Sequence, residues 1–263
     1  MRKLGINCVT FPEINVFDSI PYIKEAGFDS IFTGFKDDET VGNIAEVASK
    51  HGLEYETIHA PAKGINNIWL PGDDGEVMLK TFMDCADACA HHKIPVMIVH
   101  LSSGVKAPSV SDIGTERFDR LVDHAGEIGV TIAFENQRKM ANLAHVFERY
   151  DNRENVGFCW DNGHEACFTN GWEYMPIWGH KTVALHIHDN FKEFNKDMHL
   201  LPFDGILDFI KFGEYIRKYK FDGTLMLEAI PKNSDFYNDF TAEQFYAEAY
   251  KRVAKLRRIV DGV

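Results

Sequence analysis

The stretch Arg117–Asn136, RFDRLVDHAGEIGVTIAFEN, contains the unit that repeats along the whole chain. Its first half has helical spacing and runs up to Gly129, a residue type that commonly ends helices. The apolar run TIAFEN follows and carries an ionisable residue, Glu135, near its end. This order of amphipathic helix, glycine and apolar strand is one half of a βαβ unit, and it predicts a parallel sheet.

The same kind of apolar run occurs elsewhere as LGINCV, DSIFTGF, YETIHA, PVMIVHL, VGFCWD, VALHIHD and TLMLEA. Most runs are continuous rather than alternating, which is typical of strands covered on both faces. Further helical spacing is found at residues 17–26, 41–51, 76–92 and 240–260. No glycine-rich nucleotide motif is present, which disfavours a dinucleotide-binding sheet. We therefore predict an α/β fold, a single (β/α)8 TIM barrel that spans residues 1–263 as one domain.

Composition restricts the possible partners. The 263 residues include 40 acidic and 28 basic side chains, for a net charge of -12. A negative field disfavours nucleic acid and anionic membranes as partners. The five cysteines form no C-x-x-C pair, which favours reduced, buried thiols. No apolar stretch is long enough for a signal peptide or a membrane span, so we expect a cytoplasmic protein.

Metal-ligand residue types recur at the carboxyl ends of the apolar runs. These residues are His59, His100, Glu135, Asp161, His186 and Glu228. In a parallel barrel the carboxyl ends of the strands converge on one face, where such enzymes have their sites. Three carboxylates gathered there would raise one another's pKa, and a divalent cation relieves that repulsion. Mixed carboxylate and imidazole ligands suit Zn, Mn, Fe or Co, with Mg possible.

Two local patterns add candidate ligands. His164 follows Asp161 by three residues across a predicted turn and can point back into the same pocket. Asp197 and His199 are two residues apart, so an extended segment would place both side chains on one side. Both pairs are therefore predicted to contribute to metal binding.

Two further residues are candidate substrate contacts. His188 lies two residues after His186 and shares its face of the strand, where it could contact substrate or support a metal ligand. Trp69, in the segment GINNIWLPGDDGE after the third run, offers a flat apolar wall of the kind that sugar sites use. We predict that Trp69 contributes to a lid.

The motifs TIHAP, IVHLSSG, AFENQ, WDNGH, LHIHDN, DMHLLPFDG and MLEAI, in this order, resemble the sugar phosphate isomerase/epimerase superfamily of xylose-isomerase-like barrels. That superfamily also contains the endonuclease-IV-type AP endonucleases, and the resemblance covers essentially the whole chain. It implies a central metal held by Glu135, Asp161, His186 and Glu228, with the two glutamates moving the proton in the epimerase branch. In the endonuclease branch it implies three zinc ions, whose further ligands would be His59, His100, His164, Asp197 and His199.

The chain departs from the superfamily pattern at two places. A common H-x-K-D motif is replaced by His186-Ile187-His188-Asp189, so that His188 stands where a lysine is usual. The common L-P-G-E-G motif is replaced by residues 201–205, LPFDG. Both changes are expected at the substrate mouth and bear on the substrate more than on the metal.

Three functions remain open from the sequence. The first is a metal-dependent isomerase or epimerase that acts on a small sugar, keto-polyol or sugar phosphate. Glu135 and Glu228 would transfer the proton through a metal-stabilised enediolate, and His164 would hold a substrate oxygen or a second metal. The second is a zinc-dependent AP-endonuclease-like phosphodiesterase, and the third is a non-catalytic, metal-dependent sugar-binding barrel. One to three metal ions are expected, and the oligomeric state, a homo-oligomer included, stays open.

Overall fold

The computed structural model describes residues 1–9, 11, 14–169 and 171–263. The strands of that part of the chain are β1 (Leu4–Asn7), β2 (Ser30–Gly34), β3 (Glu54–His59), β4 (Val96–His100), β5 (Thr131–Glu135), β6 (Val156–Asp161), β7 (Thr182–His186) and β8 (Leu225–Leu227). They form one sheet in the order β7-β6-β5-β4-β3-β2-β1-β8. Each of the eight apolar runs overlaps one strand, so the predicted βα repeat is confirmed.

The helices between the strands follow the predicted pattern. Over the same residues they are α1 (Val16–Ala26), α2 (Asp38–Lys50), α3 (Asp73–His91), α4 (Asp112–Glu127), α5 (Met140–Arg149), α6 (Asn162–Phe168), α7 (Met175–Trp178), α8 (Phe209–Lys218) and α9 (Ala242–Asp261). The last helix begins at Ala242 rather than Phe240, because Thr241 and Gln244 form a capping box there. Among the described residues, none of the helices combines the length and hydropathy that crossing a bilayer requires.

The chain falls into two compact units. The first unit comprises Met1–Thr33, Glu46–Tyr55 and Trp160–Val263, and the second comprises Gly34–Ala45 and Glu56–Cys159. In the first unit, β1 pairs in parallel with both β2 and β8, while α9 packs against α1 and α8. In the second unit, β4 pairs in parallel with β3 and β5. That residues 1–263 act as a single domain stays a prediction.

Arg117 holds the loop after β3 in the second unit. The side chain is 2% exposed, and its guanidinium donates to four backbone carbonyls within residues 67–72 and to the carboxylate of Glu76. The carbonyls would lose these donors if Arg117 were replaced by an apolar residue, and buried acceptors without partners are costly.

We expect Arg117→Leu to lower the free energy of unfolding by about 3–5 kcal/mol, because several carbonyls would lose their donor at about 1–3 kcal/mol each. Arg120→Leu is the matched control, because Arg120 forms an exposed ion pair with Glu76, worth about 0–1 kcal/mol. Urea unfolding of both variants measures the difference. Equal losses of stability in the two variants would contradict this role for Arg117.

Candidate functional site

In the second unit, the ends of β3, β4 and β5 bring two imidazoles and one carboxylate together. His100 is aligned with Glu135 across the β4–β5 ladder, and His59 is aligned with Ile98, two residues before His100. Because side chains two residues apart share a face of a strand, the three side chains point to one side. Glu135 Oε2 lies 3.0 Å from His100 Nε2 and 3.2 Å from His59 Nε2.

The hydrogen bonds of His59 leave a lone pair directed at this group. His59 Nδ1 lies 2.7 Å from the carbonyl oxygen of Ala60, to which it can only donate. In the neutral ring Nε2 then carries the lone pair, and it lies 3.0 Å from His100 Nε2. Two imidazole nitrogens and a buried carboxylate oxygen that face one another form a donor set suited to a divalent transition metal.

In the first unit, Asp161 and His164 are placed by the turn from β6 into α6. Asp161 is the N-cap of α6, and its Oδ1 accepts a hydrogen bond from the backbone N–H of His164 at 2.6 Å. The ring of His164 stacks on Phe168 with centroids 4.7 Å apart. The predicted return of His164 towards Asp161 is present, since His164 Nδ1 lies 3.6 Å from Asp161 Oδ2.

The segment after β7 returns to the strand end and brings Asp197 and His199 with it. Asp189 and Leu200 exchange backbone hydrogen bonds of 2.8 and 3.0 Å as an antiparallel bridge. Ile230, just beyond β8, donates its N–H to the carbonyl of His199 at 3.0 Å. These backbone hydrogen bonds tie the loop after β7 to the segments that follow β7 and β8. Its polar side chains therefore lie at the carboxyl end of these strands.

Four side chains of the first unit form the group that we call the His3Asp cluster: His164, His188, Asp197 and His199. Each offers one ligand atom, and the four atoms lie within 4.8 Å of one another. Asp197 Oδ2 is 3.0 Å from both His164 Nε2 and His199 Nε2. The sequence predicted His164 in one local pattern and Asp197 and His199 in another, and the structure brings all three together with His188.

The charges within the His3Asp cluster are strongly coupled. Burial alone would lower the pKa of His199, but the Asp197 carboxylate outweighs it and raises that pKa to about 9. Burial raises the pKa of Asp197, yet the positive charges of His199 and His164 bring it well below its usual range. His199 Nδ1 also lies 2.9 Å from the backbone oxygen of Glu228. This second contact directs Nε2 of the ring towards Asp197.

Two more predicted ligands meet in the first unit at the ends of β7 and β8. His186 Nδ1 lies 3.2 Å from Glu228 Oε2, and the His186 ring stacks on Phe32 with centroids 4.7 Å apart. Glu228 Oε2 also lies 3.8 Å from His199 Nδ1. His186 is 1% exposed and the Glu228 side chain 14% exposed, so this carboxylate is mostly removed from water.

Asp189, which belongs to the motif LHIHDN, organises the loop that follows β7. Its buried carboxylate accepts hydrogen bonds from the backbone N–H groups of Asn190, Phe203, Gly205 and Leu207 at 2.8–3.0 Å. A carboxylate with four amide donors ties this loop to the end of β7. The residue type and its place after a strand indicated a polar role, but only the structure identifies the partners.

We expect Asp189→Ala to free this loop while the strands stay intact. The amides of Phe203, Gly205 and Leu207 would lose their acceptor and exchange with solvent about 10-fold faster or more. Hydrogen exchange followed by mass spectrometry measures this, with the amides of β1 as the internal control. Unchanged protection of residues 203–207 would contradict the assigned role.

Trp69, the predicted lid residue, is buried. The side chain is 2% exposed, its Nε1 donates to the carbonyl of Leu101 at 2.6 Å, and its ring packs against Phe118. Gly114 is needed for this packing, because a Cβ there would come within 2.2 Å of the indole. These contacts favour a structural role, and the predicted substrate contact of Trp69 has no support from its position.

Comparison with known proteins agrees with this architecture. Residues 20–256 match the sequence model of a family described as xylose isomerase-like TIM barrel. An uncharacterized protein of Sinorhizobium fredii, y4fM, is 39% identical, over 72% of this chain and 73% of that protein.

Solved structures share the fold at low identity. D-psicose 3-epimerase from Clostridium cellulolyticum H10 superposes with a TM-score of 0.78 at 15% identity, over 98% of this chain and 99% of that chain. The 3-keto-D-glucoside 4-epimerase YcjR from E. coli gives a TM-score of 0.74 at 18% identity, over 98% of this chain and 99% of that chain. The predicted fold class is thereby confirmed, and the chain belongs to the family of xylose isomerase-like TIM barrels.

Proposed function

We propose that this protein is a metal-dependent isomerase or epimerase that acts on a small sugar, keto-polyol or sugar phosphate. One observation carries the proposal. Glu135, Asp161 and His186 are the last residues of β5, β6 and β7, and Glu228 directly follows β8. The residues that the family resemblance assigns to the central metal therefore stand at the strand ends, where barrel enzymes have their sites.

The donor chemistry of these four residues fits a divalent cation. The side chains of Glu135 and Asp161 are 0% exposed, and a buried carboxylate requires a compensating partner. Three carboxylates and one imidazole would hold Mn, Co, Zn, Fe or Mg. When bound, such an ion supplies Lewis acidity towards a carbonyl and an adjacent hydroxyl of the substrate.

The protein residues would then move the proton. One of the two glutamates removes the proton from the carbon next to the carbonyl, and the other returns a proton to the opposite face, which inverts that carbon. The 3.2 Å between His186 Nδ1 and the Glu228 carboxylate suits two ligands of the same cation. In the second unit, His100 would orient Glu135 through the hydrogen bond of 3.0 Å between Nε2 and Oε2.

The fold relatives support the substrate class. The two solved structures described above are named for inversion at a sugar carbon, and in the 3-keto-D-glucoside 4-epimerase that carbon adjoins the keto group. Removal of a proton next to a carbonyl is the chemistry that a pair of carboxylates can perform. We therefore infer a polyhydroxylated ketone as the substrate.

Proton exchange with solvent tests this proposal. The protein, supplied with Mn²⁺ or Co²⁺ in D₂O, is incubated with ketohexoses, ketohexose phosphates, keto-inositols and 3-keto-glucosides. We expect one class to gain deuterium at the carbon that is inverted, as followed by NMR. Binding of such a compound without exchange would instead favour a non-catalytic sugar-binding barrel, and neither binding nor exchange would overturn the proposed substrate class.

A phosphodiesterase of the AP-endonuclease kind is the second candidate. The additional donor groups favour it, namely the imidazoles of His59 and His100 beside Glu135 and the His3Asp cluster of the first unit. The net charge of -12 disfavours it, because duplex DNA binding needs several phosphate contacts. A nicking assay on abasic duplex in the presence of zinc separates the two, and robust cleavage would reverse our ranking.

A further inference from the structure

We propose that His188 is the fourth protein ligand of a closed metal site formed by the His3Asp cluster, and that the ion held there is structural. The inference goes beyond the proposed function and rests on it only in assuming that the chain takes up a divalent cation. All four ligands lie within residues 160–263 of the first unit.

The imidazole of His188 stacks on the ring of His199, with centroids 4.2 Å apart, but its nitrogens have no hydrogen bond that would explain their burial. It is fully buried, and neither ring nitrogen makes a hydrogen bond to another residue in the described part of the chain. Nε2 lies 3.1 Å from Asp161 Oδ1 and 3.6 Å from Asp197 Oδ1, in neither case with hydrogen-bond geometry. Asp197 Oδ1 likewise lacks a hydrogen-bond partner among the described residues. Buried polar atoms in this state call for a further partner, and an ion bound between the four side chains would supply it.

The backbone around His188 is fixed so that the ring enters the cluster. Asn162 Nδ2 donates to the carbonyl of His188 at 2.9 Å, and the N–H of His188 donates back to Asn162 Oδ1 at 3.1 Å. Gly163 provides the space for the ring, because a Cβ at that position would lie 1.9 Å from His188 Cε1. The first turn of α6 therefore both anchors His188 and leaves room for its imidazole.

The distances within the cluster fit four-coordination. In a tetrahedral zinc site with bonds of about 2.0–2.1 Å, neighbouring ligand atoms are roughly 3.3 Å apart. Asp197 Oδ2 lies 3.0 Å from both His164 Nε2 and His199 Nε2, and Oδ1 of the same carboxylate lies 3.6 Å from His188 Nε2. The contact of His199 Nδ1 with the Glu228 carbonyl is the outer contact that commonly fixes a metal-binding imidazole.

Four protein ligands have a chemical consequence. Catalytic zinc sites keep one position open for water, whereas structural sites are closed by four protein ligands. An ion in the His3Asp cluster would therefore not activate water for hydrolysis. It would instead tie the loop that carries Asp197 and His199 to α6 and to the end of β7, and stabilise the folded protein.

Cobalt replacement tests this inference. Tetrahedral Co²⁺ absorbs visible light far more strongly than six-coordinate Co²⁺, so the spectrum reports the coordination. In a Glu135→Ala variant, which removes a ligand of the proposed central metal, we expect one tightly bound Co²⁺ with a tetrahedral spectrum. Adding His188→Ala should weaken that binding by more than about 100-fold, because loss of an outer contact alone costs about 10–100-fold. Adding His180→Ala, the exposed control, should change neither binding nor spectrum.

Several results would overturn the inference. They are a five- or six-coordinate spectrum of the tightly bound Co²⁺, binding that His188→Ala leaves unchanged, or no tight binding in Glu135→Ala. The spectrum is measured with all four residues of the cluster intact, so a five- or six-coordinate result overturns the inference even if His188→Ala fails to fold. Solvent-proton exchange by the parent protein is scored separately. Exchange without a tetrahedral site would overturn this inference alone, and a tetrahedral site without exchange would overturn the proposed function alone.

Discussion

Glu228→Gln is expected to lower the rate of solvent-proton exchange into the substrate by about 10²–10⁴-fold, the usual contribution of a positioned general acid or base. Glutamine has nearly the same shape as glutamate but cannot accept and return a proton. The rate is measured by NMR in D₂O on the substrate that the panel identifies. Metal content is determined in parallel, because Glu228 is also a proposed ligand.

Glu243→Gln is the matched control, since Glu243 is exposed in the first turn of α9. We expect it to exchange at the parent rate. If Glu228→Gln retained its metal and exchanged as fast as the parent, the assignment of Glu228 to the proton transfer would be wrong. Loss of metal and activity together would leave Glu228 as a ligand, and Glu135→Gln would then be needed to locate the base.

Removal of the metal is expected to have an equally large effect. Lewis acid stabilisation of the developing charge contributes several kcal/mol, and each 1.36 kcal/mol corresponds to a factor of ten in rate. We therefore expect chelation to lower the rate of solvent-proton exchange by about 10³-fold or more. Adding Mn²⁺ or Co²⁺ should restore the rate. The check is elemental analysis of each preparation together with the exchange assay. Full activity in a preparation shown to be free of metal would contradict a metal-dependent reaction.

The fold could be predicted because its signal is local and repeated. The apolar run at residues 131–136 indicates a strand, and the glycine before it indicates the end of a helix, because both depend on the conformations of neighbouring residues. Helix limits were less accurate where side-chain caps decide them, as at Thr241 and at Ser111, which starts α4 at Asp112 rather than at Arg117. The sequence could not show that Arg117 would be buried under a loop, because that depends on carbonyls about 50 residues away.

Part of the geometry of the candidate site could also be predicted from a local signal, namely the position of residues at strand ends. The strand-end residues His100 and Glu135 follow from the parallel register, and the structure aligns them across β4 and β5. The sequence could not show that the ring of His188 enters the His3Asp cluster, because the ring needs the space that the missing side chain of Gly163 leaves. The sequence could not show which way Trp69 points, because an indole in a loop can pack inwards as readily as outwards, and its contact with Leu101 decides the direction.

The most direct test of the central claim is anomalous diffraction from a crystal of the metal-loaded protein, recorded at the absorption edge of the bound metal. We predict an ion within bonding distance of Glu135, Asp161, His186 and Glu228. We also predict a second ion, within bonding distance of all four side chains of the His3Asp cluster. An anomalous map with no ion at the four strand-end residues, at saturating metal, would contradict the proposed site and the reaction assigned to it.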